Sequence, residues 1–137
     1  MHHEVQHDGA GRRNSHQAPY LDRLDELTAA AVRLGALLDC LLANAEQMRR
    51  ELAAGRRIYD IVSGVSDEPS RSFRRDLHGA IRQFERAMQT TRGQSLRILL
   101  EGGGLTVTEV ARAVNLSIPM VKRLIATADR TEPETDA

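Results

Sequence analysis

The chain has 137 residues, 41% apolar and 28% charged, which is enough for one compact domain with a real core. Its four aromatic residues, Tyr20, Tyr59, Phe73 and Phe84, leave that core to Leu, Ala, Val and Ile, which suits packed helices better than an all-β sandwich. The single Cys40 excludes an intrachain disulfide, and the formal charge of zero hides an asymmetry: residues 71–130 hold 11 Lys+Arg against 5 Asp+Glu, and the remainder 8 against 14.

Residues 1–18, with His2, His3, His7 and His16 among Gly, Asn and Ser, show no apolar periodicity and are expected to be a disordered tail. Their histidines lack ordered supporting groups, so no metal site is expected there. The segment is polar, which excludes a signal peptide, and no apolar run approaches the roughly 20 residues of a membrane span. No membrane partner and a cytoplasmic location are therefore expected.

From Tyr20 onward, Leu24, Leu27, Ala31, Leu34, Leu38, Leu41, Ala45, Met48 and Leu52 recur at alternating spacings of three and four, the a/d seam of a heptad repeat. The pattern predicts a long helix over 19–62, with Gly55 at a d position marking a bend or an end. Thirty-six helical residues span about 54 Å, longer than a small domain is wide. The expected cover for the seam is the same helix of a second chain, with Leu24, Leu27, Leu34, Leu38, Leu41, Met48 and Leu52 as dimerisation residues. Leu37 and Leu42 widen the stripe toward a bundle. The competing arrangement is an intrachain hairpin with the next helix. Cys40, at a c position, reads as a packing thiol.

Residues 63–72 collect Ser63, Gly64, Ser66, Asp67, Pro69 and Ser70 and read as a linker. Phe73, Leu77, Ile81, Phe84 and Met88 then mark an amphipathic helix over 73–91 with an arginine-rich exterior, in which His78 is a surface or half-buried histidine.

Over 94–129, a short apolar helix (Leu96, Ile98, Leu99, Leu100) ends at Gly102-Gly103-Gly104. Thr106 and Glu109 form a capping box, so a second helix starts at about Val107 with Val110, Ala111 and Val114 buried. Asn115 stands where a turn needs positive φ. Ser117 caps a third helix over 117–128, with Pro119 in its first turn. A small residue at the helix crossing (Ala111), a turn residue four later and closing apolar residues (Leu116, Val121, Leu124) make the spacing of a helix-turn-helix. The expected class is therefore all-α: a long heptad helix in a dimeric bundle, then a tri-helical domain over 94–129 and an acidic tail over 130–137.

The stretches Leu105-Thr106-Val107-Thr108-Glu109-Val110-Ala111 and Leu116-Ser117-Ile118-Pro119-Met120-Val121-Lys122-Arg123-Leu124-Ile125 resemble the helix-turn-helix core of the MarR-like and IclR-like bacterial transcription regulators. The match covers about a quarter of the chain, from Ser95 to Arg130. Those families continue into a β-hairpin wing, whereas here Asp129 leads into acidic sequence, so no wing is expected. The resemblance implies a nucleoid-associated bacterial protein whose third helix enters the major groove of double-stranded DNA. Ser117, Pro119, Met120, Lys122 and Arg123 are the residues expected to meet bases and phosphates, with Arg112, Thr106 and Thr108 on the backbone. A homodimer would link two such modules.

Competing readings are a protein-interaction adaptor using a repurposed helix-turn-helix, and a nucleoid-type architectural DNA binder. No phosphate loop, metal-ligand spacing or nucleophile–base pair is present, so neither an enzyme nor a cofactor is expected. Operator and effector leave no mark in the sequence.

Overall fold

The computed structural model describes residues 4–64 and 67–129, with side chains from Gln17 onward. The chain is all-helical, with no strand among the described residues: α1 (Glu4–Ala53), α2 (Ile58–Gly64), α3 (Glu68–Glu101), α4 (Val107–Val114) and α5 (Ile118–Asp129). No described helix is long and apolar enough to cross a membrane.

Several helix limits differ from those expected of the sequence. α1 begins at Glu4, so residues 4–18 extend the helix instead of forming a disordered tail; once a helix is nucleated, each added residue gains a hydrogen bond without a new nucleus. Residues 1–3 and the expected acidic tail at 130–137 lie outside the described residues. α1 ends at Ala53 and not at 62, because Gly55 adopts φ 90° and the chain turns. There Arg56 N–H donates to the Glu51 carbonyl at 3.0 Å, and the Arg56 guanidinium pairs with the Glu51 carboxylate at 2.8 Å. Tyr59 and Val62, which continue the heptad count, belong instead to α2.

The expected linker 63–72 is also shorter. α3 starts at Glu68 because Asp67 caps it, accepting from Ser70 N–H at 3.0 Å. Hydrogen bonds from Ser70 hold the Asp67 carboxyl below its ordinary range. α3 then runs unbroken to Glu101, joining the expected amphipathic helix 73–91 to the apolar helix that follows it.

The chain divides into two compact units, and α1 and α3 contribute to both. The unit of Thr28–Glu85 is a helical hairpin: α1 and α3 are joined by a short connection containing α2, and Arg33 donates to Gln83 Oε1 at 2.6 Å. Ala30, Ile61 and Ala80 are buried in it, and Leu34, Leu37, Met48, Phe73, Leu77, Ile81 and Phe84 are half-buried. Part of the heptad seam is thus covered by the same chain, while Leu38, Leu41 and Leu52 remain exposed. Cys40 is exposed too, so it is not a packing thiol; a c position lies outside the stripe that α3 covers.

Among the described residues, the second unit comprises residues 4–27 and 86–129. Leu24 and Leu27 are half-buried there, and the buried Thr91 hydroxyl lies 2.8 Å from the Ala87 carbonyl and 3.3 Å from that of Arg23. Its core is Leu96, Val110, Ala111, Val121 and Leu124, flanked by Leu100, Leu105, Val107, Val114, Leu116 and Ile125. Full burial of Val110 and Val121 contributes roughly 1.5–3 kcal/mol each.

Gly93 permits the closest approach in this unit. A methyl group there would fall on the Leu124 carbonyl oxygen and lie 2.9 Å from the Ala128 methyl. Gly93→Ala should therefore lower stability by about 1–3 kcal/mol in urea denaturation, because the obstruction is backbone and cannot swing aside. Gly79→Ala, in the same helix with open space around it, should raise stability by about 0.5–1 kcal/mol.

Candidate nucleic-acid interface

α4 begins at Val107 because Thr106, extended at φ −77° and ψ 160°, accepts from Glu109 N–H at 3.2 Å. The Thr106 hydroxyl in turn donates to the Glu109 carboxylate at 3.0 Å. The expected capping box had that carboxylate reaching the Thr106 backbone; the hydroxyl proton takes it instead. Thr106 therefore has its hydroxyl committed to the fold, with no proton left for a phosphate. Thr108, the second residue of α4, is exposed.

The turn between α4 and α5 depends on Asn115, the only non-glycine residue at positive φ among the described residues, at φ 56° and ψ 47°. Its N–H closes on the Ala111 and Arg112 carbonyls, and Leu116 N–H donates to Ala111 at 2.9 Å. Ser117 then caps α5, its Oγ accepting from Met120 N–H at 3.2 Å. That bond uses an oxygen lone pair, so the Ser117 hydroxyl proton remains available, unlike that of Thr106.

α5 has two faces. Val121, Leu124 and Ala128 are buried, whereas Pro119, Lys122, Arg123 and Ala126 are exposed at helical spacing on the other side. Met120 and Ile118 are exposed at the edges of the first turn. Ser117, Pro119, Met120, Lys122 and Arg123 thus share the N-terminal half of one helix and its cap. Arg112 is exposed in the last turn of α4.

The free charge on this segment is positive. Glu109 is engaged by Thr106, and Glu101 and Asp129 both pair with Arg97, at 3.4 Å in the case of Glu101. Arg112, Lys122 and Arg123 have no ion pair among the described residues. Glu101 and Asp129 share the single Arg97, and Glu109 keeps its charge beside a neutral hydroxyl; Arg97, Arg112, Lys122 and Arg123 against these three carboxylates leave a net charge of +1, with Arg112, Lys122 and Arg123 outside any ion pair.

Two positioning residues escaped the sequence reading. Arg97 ties the last residue of α5 to α3 through Asp129, a pairing across 32 positions that no local pattern announces. Gly93 sets how closely α5 approaches α3; its one signal was a glycine inside an otherwise strong helical stretch.

Comparison of the chain with protein-family models, with curated proteins and with solved structures finds no match.

The turn gives a direct test of how α5 is aimed. Asn115→Ala should cost up to about 1 kcal/mol, because alanine keeps the Cβ in left-handed backbone without asparagine's short polar side chain, whereas Asn115→Gly, which has no Cβ, should retain stability. Chemical denaturation of the two variants measures the difference.

Proposed function

We propose that this protein binds double-stranded DNA, with α4 and α5 acting as a helix-turn-helix and the exposed face of α5 entering the major groove. The observation that carries the reading is the free positive charge of Arg112, Lys122 and Arg123 on helices fixed by a buried aliphatic core. Arg123 is suited to a bidentate contact with guanine, and Lys122 to a phosphate or guanine. Met120 and Pro119 offer apolar surface to a thymine methyl, and Ser117 and Arg112 are placed for phosphate oxygens. Thr106 serves this site through the cap that orients α4, and Thr108 is the hydroxyl left for the backbone.

One small module with few phosphate contacts binds weakly at physiological salt, so the functional species is a homodimer whose two copies of α5 read half-sites about one helical turn, or a multiple of it, apart. Such a molecule is suited to regulating transcription.

Fluorescent duplex DNA titrated at several salt concentrations tests the reading. The expected result is a log–log dependence of affinity on salt with a steep negative slope. Lys122→Ala and Arg123→Ala should each weaken binding, a lost phosphate contact flattening the slope by about 1 and a lost guanine contact costing about 1–3 kcal/mol at one base position. Absence of binding at low salt overturns the reading and favours a protein-interaction adaptor.

A further inference from the structure

In the unit of Thr28–Glu85, large apolar side chains stand in solvent on two neighbouring elements. On α1, Leu38, Leu42 and Leu52 follow one stripe with Ala45, and Leu42 is 68% exposed. On α2, which begins after only residues 54–57, Ile58, Tyr59 and Val62 share the side away from the buried Ile61; Ile58 is 67% and Tyr59 80% exposed. The α3 segment of this unit already covers the Leu34 and Leu37 side of α1, so the hairpin has no further helix of its own for these six residues.

We propose that this α1–α2 face is where a second copy of the chain docks, in an isologous two-fold arrangement. The inference rests on the dimeric reading above and replaces the full heptad seam with a defined surface. Two observations favour a second copy over another partner.

The first is area. Each of the six residues is at least 40% exposed, and their summed exposure is comparable to the about 800 Å² that each partner buries in a standard interface. The second is charge. Asp39, Asp60, Arg33, Arg49 and Arg57, on the same two elements of this unit and the turn between them, have no ion pair among the described residues, Arg33 donating instead to Gln83. Two are acidic and three basic, so the free charge comes close to cancelling. A face that meets its own copy must not repel itself, and this one supplies both signs for cross-pairing. A strongly acidic or basic partner would find no complementary field.

Light scattering coupled to size exclusion, on the full chain without DNA, tests the proposal. The wild type should be a dimer, and Leu42→Glu combined with Tyr59→Glu should be a monomer with unchanged far-ultraviolet circular dichroism, since both sites are exposed in the single chain. If that pair disturbs folding, Ile58→Ser with Tyr59→Ser, confined to α2, should shift the equilibrium toward monomer. Val32→Glu, equally exposed but on another side of α1, should leave the dimer intact. A monomeric wild type, a dimer that survives the α2 and Leu42 substitutions, or a dimer equally sensitive at Val32 overturns the assignment.

DNA titration of the same samples separates this inference from the functional reading. The monomeric variant should bind a duplex with two half-sites roughly 100-fold more weakly than wild type, and a single half-site equally well. A wild-type dimer that ignores DNA would overturn the functional reading and leave the docking face standing.

Discussion

The placement of α5 depends on a backbone-to-backbone contact. Where α5 passes α3, the Leu124 carbonyl occupies the space that a side chain would need at position 93. Glycine in a helix interior sacrifices intrinsic stability, and that loss is offset here by the close approach that closes Val121 and Leu124 onto Leu96, Val110 and Ala111. Arg97 then holds the far end of α5 through Asp129. Crossing point, core and end clamp together fix the direction in which Lys122 and Arg123 project.

Polar groups in this segment divide between fold and surface. Thr106 uses both its lone pair and its proton within the α4 cap, and Glu109 is held in the same cap. Ser117 uses only its oxygen, leaving a donor at the start of α5. Glu101 and Asp129 are both drawn to Arg97, so Arg112, Lys122 and Arg123 stand on α4 and α5 without an ion pair among the described residues.

What was legible in the sequence was local. Thr106, Asn115 and Ser117 act through bonds to residues three or four positions away, so spacing alone located α4, its turn and the start of α5. The buried positions Val110, Ala111, Val121 and Leu124 followed from helical periodicity. The limits of α1 and the continuity of α3 were not legible. Propagation carries α1 back to Glu4 through residues with no apolar pattern, and α3 runs without interruption through Gly93, where α5 packs closely against it. Nor does a heptad say whose helix covers it: α3 of the same chain takes one side of α1, and Leu38, Leu42 and Leu52 stay outside. The Arg97–Asp129 pair is invisible to any short window.

The position of Tyr59 also governs what light can report about this molecule. The chain has no tryptophan and two tyrosines, so its near-ultraviolet absorption is weak and its intrinsic emission comes from Tyr20 and Tyr59 alone. Tyr20 is half-buried, whereas Tyr59 stands almost wholly in water on α2. Its phenol ring is therefore a built-in optical probe of whatever covers that helix, readable without attaching a dye.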